Sequence, residues 1–139
     1  MNPREGKILL CSSDPPTLNK YVRIASKAGW GEIIPTSQDF LALEHLSSLA
    51  PHGIIRVATD LWGRTEQGIE LAARAVKANI PPGSVAIIDD EINNPYYYNK
   101  IGRLGLGVLR LSDPRMIEYF LQGGEFEKND WNDPVIPLH

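Results

Sequence analysis

Cysteines and long apolar runs are both scarce in this sequence, and each shortage excludes a class of protein. Cys11 is the only cysteine, so the chain forms no intramolecular disulfide and has too few thiols for a structural zinc site. The amino terminus carries an apolar run of only about five residues, shorter than a secretory signal core, and no later run approaches the length of a membrane span. We therefore expect a cytoplasmic protein with no membrane partner.

An excess of positive charge is also missing. The chain has 14 basic and 17 acidic residues and a net charge of −3, so it has no overall basic field to hold a nucleic-acid backbone. We expect no nucleic-acid partner. At 139 residues and 42% hydrophobic content, the chain is long enough for one domain with a substantial core.

Short aliphatic runs alternate with helical patterns along the chain. The strands are predicted within residues 7–11, 32–36, 53–59, 81–91 and 107–111, and the helices within residues 17–30, 38–49, 64–79, 94–105 and 113–124. This alternation predicts a flavodoxin-like α/β fold, a doubly wound five-stranded parallel sheet with helices on both faces in a three-layer α/β/α sandwich. The domain is predicted to span residues 1–122. Residues 123–139 form a polar C-terminal extension, either extended or docked through Trp131, Val135, Ile136 and Leu138.

Acidic and hydroxyl side chains follow the predicted strands at their carboxyl ends, where doubly wound sheets place their functional surface. They are Ser12, Ser13 and Asp14 after the first strand, Asp60 after the third, Asp89, Asp90 and Glu91 after the fourth, and Ser112 and Asp113 after the fifth. One interpretation is that Asp14, Asp60 and Asp89 or Asp90 converge on a divalent cation such as magnesium. The other is that Asp60 only caps a loop.

The order of elements, the sequence "SSDPP" after the first strand, and an aspartate that ends the third strand with Gly68 eight residues later resemble the receiver domain of two-component response regulators. The resemblance to this CheY-like superfamily covers roughly residues 6–122. It implies that Asp60 is a phosphoacceptor and Gly68 a turn glycine. It also implies a carboxylate pair for magnesium after the first strand, a hydroxyl after the fourth and a lysine after the fifth.

Several of these implied positions depart from the family pattern. The carboxylate pair falls on Ser12 and Ser13, the hydroxyl position on Asp89, and the lysine position on Leu111 or Ser112. A proline usual in the family four residues after the aspartate is replaced by Arg64. We therefore expect a degenerate pseudo-receiver with no cofactor, or magnesium at most, that aspartyl phosphorylation does not switch.

The fourth predicted helix carries three consecutive tyrosines, Tyr96, Tyr97 and Tyr98, which point in three directions, so at least one is expected to be exposed. Receivers use this helix, the fifth strand and the last helix to contact partners. The candidate interface residues are Tyr96, Tyr97, Tyr98, Arg110 and Tyr119. The expected partner is another protein, such as a histidine kinase or an output protein, or a second copy of the chain.

Two alternative functions stay open at this point. One is a single-domain response regulator that is phosphorylated on Asp60 in a phosphorelay. The other is small-molecule or nucleotide binding at the strand ends, although "SSDPPT" lacks the glycines of a phosphate-binding loop. We expect no enzyme, because Cys11 is predicted to be a core residue and the histidines lie away from the strand ends. Arg56 and Arg110 interrupt their strands, either at an edge or as inward charges with a partner such as Asp89.

Overall fold

The computed structural model describes residues 6–38, 42, 53–60, 65–89 and 95–124. Within them the strands are β1 (Lys7–Cys11), β2 (Glu32–Thr36), β3 (Ile54–Asp60), β4 (Val85–Ile88) and β5 (Gly107–Leu109). The helices are α1 (Pro15–Ser26), α2 (Thr65–Lys77), α3 (Pro95–Arg103) and α4 (Pro114–Leu121), with a 3₁₀ turn at Pro82–Ser84. The helix predicted within residues 38–49 lies almost wholly outside the described residues, as does the extension beyond Gly124.

All the strand pairs are parallel, and the strand order is β2-β1-β3-β4-β5. The order reverses at β1, because the chain passes from β1 outward to β2 and then returns to place β3 on the other side of β1. The predicted flavodoxin-like, doubly wound α/β fold is therefore confirmed. Every helix in these ranges is too short or too polar to cross a bilayer.

The sheet separates two apolar cores because successive side chains of a strand point to opposite faces. On one face, Ile8 and Leu10 of β1 pack with residues of α1 and α4. On the other face, Leu9 and Cys11 pack with residues of α2 and α3. Cys11 has no exposed surface, which confirms the prediction that it is a core residue.

Helix α1 begins at a strong local start signal. Asp14 is the N-cap, its carboxylate accepts a hydrogen bond from the Thr17 N–H at 3.3 Å, and prolines occupy the first two helical positions. Beyond the helix end, Gly29 has a φ of +78°, a conformation that costs glycine little. Helix α1 has one apolar side, because Tyr21 and Ala25 are buried and Leu18, Val22 and Ala28 pack against the same core.

Arg56 lies in the middle of the sheet on β3 and is only 1% exposed, so the edge-strand alternative for this residue is wrong. Its Nη1 donates to the carbonyl oxygens of Phe120 at 2.8 Å and Gly124 at 2.7 Å, and its guanidinium lies 4.4 Å from the Phe120 ring centroid. The inward charge is thus stabilised by carbonyls at the C-terminal end of α4, where the helix dipole favours a cation. Arg110 lies just beyond β5, rather than inside the strand, and its Nη1 lies 3.5 Å from the Asp89 carbonyl oxygen.

Candidate functional site

The carboxyl ends of β1, β3 and β4 bring Ser12, Asp60 and Asp89 to one edge of the sheet. Cys11 pairs with Thr59, and Asp60 pairs with Ile88, so Asp60 stands between the chain segments that carry Ser12 and Asp89. Asp60 has no exposed surface, whereas Asp89 is half-buried. The strand register therefore gathers these side chains at the edge predicted from the sequence, with Asp60 at its centre and below the surface.

Ser12 closes the turn between β1 and α1. It is fully buried, its backbone N–H donates to the Thr36 carbonyl at 3.1 Å, and its hydroxyl oxygen accepts the Asp14 N–H at 3.2 Å. Ser13, next to it, is exposed. The Ser12 hydroxyl thus forms a hydrogen bond with the backbone, at a position where the receiver resemblance implies a metal-binding carboxylate.

Asp14 is the N-cap residue of α1. Its carboxylate oxygen accepts hydrogen bonds from both the backbone N–H and the hydroxyl of Thr17. Among the described residues no group of three or more His, Cys, Asp or Glu side chains is placed to hold a metal ion. Asp14, Asp60 and Asp89 therefore form no such group, and Asp90, the alternative third ligand, lies outside the described residues.

Tyr21 is a buried phenol that the charges of Asp60 and Asp14 influence. The side chain is 1% exposed, and its hydroxyl has no hydrogen-bond partner in the described part of the protein. Burial, and then the negative charges of Asp60 and Asp14, raise the pKa of Tyr21 well above its usual value. Tyr21 was not among the predicted site residues. The signal in the sequence is its spacing: Tyr21 follows Asp14 by seven residues, two helical turns, and so shares its side of α1.

The position where the resemblance implies a lysine holds no cation. Leu111 is half-buried and packs against the core shared by α1 and α4, and Ser112 is exposed. Gly68 is also placed differently from the expectation, because it is buried in the first turn of α2 rather than in a turn between elements. Arg64 and Asp90 lie outside the described residues.

The candidate partner face lies at the β5 edge of the sheet, with α3 on one side and α4 on the other. Tyr96 on α3 is 62% exposed and Tyr119 on α4 is 46% exposed, which confirms that at least one tyrosine of the triplet faces solvent. The Tyr97 ring meets the Tyr96 ring edge to face at 5.3 Å and packs against the core. Tyr98 is half-buried.

No protein-family model matches the chain, and no curated protein matches its sequence. Solved structures do match. The isolated REC domain of RcsB from Salmonella enterica serovar Typhimurium, with the phosphomimetic BeF3−, shares 17% identity at a TM-score of 0.56 over 91% of this chain and 95% of that one. What this REC domain and the present chain share is the fold, a doubly wound α/β domain with a five-stranded parallel sheet.

Two further solved structures share this α/β fold. A longer RcsB chain from Salmonella typhimurium aligns at a TM-score of 0.61 and 16% identity, over 89% of this chain and 66% of that one. A de novo designed Rossmann 2x3 protein aligns at a TM-score of 0.61 and 15% identity, over 88% of this chain and 94% of that one. Identities this low show the shared fold and leave function to the site itself.

Proposed function

We propose that this protein is a receiver-like signalling module that acts through protein contacts and is not switched by conventional aspartyl phosphorylation. The observation that carries the proposal is the chemistry around Asp60. This carboxylate has no exposed surface, its neighbour Ser12 bonds to backbone rather than offering a second carboxylate, and Leu111 packs into the core where a lysine is implied. The parts that neutralise a transferred phosphoryl group are therefore replaced.

Electrostatics point in the same direction. A phosphoryl group adds a charge of about −1.5 to −2, and on Asp60 it would face the carboxylates of Asp14 and Asp89 with reduced solvent screening. Tyr21 offers one neutral hydroxyl donor on this side of the sheet. A single neutral hydrogen bond stabilises an anion by far less than the divalent cation and ammonium implied by the family resemblance.

The protein-contact part of the proposal rests on the β5 edge. Tyr96 and Tyr119 are the exposed large hydrophobic side chains of the described residues, and they lie on the two helices that flank β5. Half-buried Arg110 follows that strand directly. Tyrosine and arginine are enriched at protein interfaces because they combine apolar contact area with hydrogen-bond donors. The proposed partner is a signalling protein, such as a histidine kinase or an output protein, or a second copy of the chain.

Sedimentation and partner capture test this proposal with a double variant, Tyr96→Ser with Tyr119→Ser. We expect the wild type to self-associate with increasing concentration, or to capture one specific protein from its native host in a way that does not depend on phosphodonors. The double variant should weaken that contact, whereas the exposed α2 variant Gln67→Ala should not. A wild type that stays monomeric and captures nothing, or a contact that the tyrosine changes leave intact, contradicts the proposal.

One observation favours a second function, phosphorylation on Asp60. The carboxylate ends β3 at the sheet edge where the resemblance places the phosphoacceptor. A working phosphorelay protein would be labelled stoichiometrically by a small phosphodonor, and Asp60→Asn would abolish the labelling. Absence of labelling in the folded wild type would remove this alternative.

A further inference from the structure

Three cations form a stripe along the outer face of α1. Lys20, Arg23 and Lys27 are all exposed and follow one another at spacings of three and four residues, which places them on one side of the helix. With Ile24 and Ser26 they line an open groove of about 380 Å³, and the half-buried Ile24 gives it an apolar floor. None of the three pairs with a carboxylate in the described part of the chain.

This concentration of positive charge stands out because the whole chain is acidic, with a net charge of −3. Like charges at these spacings on a helix repel one another, so an anionic group in the groove would relieve that repulsion. The side chains also supply long aliphatic stems, which cover apolar surface while their charged heads meet an anion. The groove therefore suits an acidic peptide segment that also carries aromatic side chains.

The chain itself contains such a segment. Residues 125–133 read "EFEKNDWND" and hold four carboxylates, one lysine and two aromatic residues, so their net charge is −4 + 1 = −3. This charge is equal and opposite to that of the three cations of the α1 groove. Phe126 and Trp131 supply large apolar side chains of the kind that would cover Ile24.

The last described residues, up to Gly124, are held by hydrogen bonds to β3, to α4 and to the loop after α1. The Gly124 carbonyl accepts from Arg56 at 2.7 Å, its N–H donates to the Tyr119 carbonyl at 2.9 Å, and the Leu121 carbonyl accepts the Trp30 indole N–H at 2.7 Å. Trp30 comes three residues after Lys27, so its bond links the end of α4, three residues before Gly124, to the chain that follows the cation stripe. Nine extended residues span up to about 30 Å, whereas α1 itself is only about 18 Å long.

We propose that the α1 groove is the docking site of the chain's own residues 125–133, with carboxylates of the segment against Lys20, Arg23 and Lys27 and its aromatic side chains over Ile24. Because the segment is tethered at Gly124, its effective concentration at the groove is in the millimolar range, so individually weak contacts suffice to hold it. The docked segment would cover the outer face of α1. The proposal does not depend on the function proposed above.

Paramagnetic NMR on the full chain tests this directly. A nitroxide on Asn129→Cys is site-specific because the native Cys11 is fully buried. We expect the label to reduce the amide signals of Lys20–Lys27 to less than half of their diamagnetic intensity and to affect α2, on the opposite face of the sheet, far less. The effect should disappear in about 0.5 M NaCl, where the Debye length falls to about 4 Å.

Exchanging one charge of the groove with one charge of the segment distinguishes a specific contact from nonspecific electrostatic attraction. Arg23→Glu and Asp130→Lys should each restore the α1 signals, the two changes together should reduce them again, and Lys77→Glu on α2 should change nothing. Equal broadening over both faces, a contact at another surface, or failure of the double change to restore the effect would overturn the proposal. So would broadening of α1 in an isotope-labelled chain by a separate spin-labelled chain, because the occupant would then be a second copy.

Discussion

Replacing Arg56 with methionine tests how the centre of the sheet is tied to the last helix. The guanidinium is 1% exposed, makes two short hydrogen bonds to the carbonyls of Phe120 and Gly124, and stacks on the Phe120 ring. Hydrogen bonds to a charged group contribute about 1.5–3 kcal/mol each, so the two together contribute about 3–6 kcal/mol. Methionine fills much of the same volume and removes the cost of burying a charge, which offsets part of that loss.

We therefore expect Arg56→Met to lower the free energy of unfolding by about 2–4 kcal/mol, which corresponds to a melting temperature lower by about 6–12 °C in a domain of this size. Urea unfolding followed by circular dichroism measures this. Hydrogen exchange should also accelerate in α4 and at residues 122–124 more than in α2.

The matched control is Arg74→Met. Arg74 lies on the exposed face of α2 and pairs with Glu70 at 3.0 Å, a surface contact that contributes less than about 1 kcal/mol. If Arg56→Met were no more destabilising than Arg74→Met, the carbonyl contacts of Arg56 would not be what ties α4 to the sheet. The expected loss of about 2–4 kcal/mol in the free energy of unfolding would then be wrong.

Four further predictions concern three residues near the strand ends, Tyr21, Asp14 and Ser12. Tyr21→Phe should raise the free energy of unfolding by about 1 kcal/mol because it removes a buried hydroxyl that has no hydrogen-bond partner in the described residues; a loss of stability in urea unfolding would mean that the hydroxyl has a stabilising partner. Since the pKa of Tyr21 is raised on folding, the wild type should lose stability as the pH rises above about 10, by up to about 1.4 kcal/mol per pH unit, and Tyr21→Phe should lack this component. Asp14→Ala should lower the free energy of unfolding by about 1 kcal/mol because it removes the N-cap of α1, and Asp14→Asn should lower it much less. Thermal melts in which Asp14→Asn is as destabilising as Asp14→Ala would contradict this. Ser12→Asp should destabilise by about 2–4 kcal/mol because it buries a second carboxylate beside Asp60; unchanged urea unfolding would refute this.

The fold follows closely from local sequence patterns. Aliphatic runs such as "KILLC" give strands buried on both faces, and Asp14 followed by two prolines starts α1 at Pro15, two residues before the predicted range. The fifth strand is shorter than its apolar pattern, because pairing with β4 ends at Leu109 and leaves Arg110 outside. The apolar pattern of one strand does not show where its pairing with the neighbouring strand ends.

The site was harder to predict, because its contacts join distant parts of the chain. The hydrogen-bond partners of Arg56 lie 64 and 68 residues away at the end of α4, and no spacing in β3 points to them. Tyr21 lies on the apolar side of α1, and only the three-dimensional packing shows that its hydroxyl is buried and influenced by the charges of Asp60 and Asp14. Likewise, Asp14 is of a residue type that binds cations, but its carboxylate accepts a hydrogen bond from the Thr17 N–H as the N-cap of α1.

The most direct test of the central claim is an amide NMR titration of the full chain with magnesium and then with beryllium fluoride, with Asp60→Asn as the matched control. Our account predicts no saturable magnesium shifts near Asp14 and Asp60, and no further change at Tyr97 or Tyr119 when beryllium fluoride is added. Saturable magnesium shifts at the strand ends, followed by slow-exchange changes that reach Tyr97 in the wild type but not in Asp60→Asn, would contradict it and establish a phosphorylation switch.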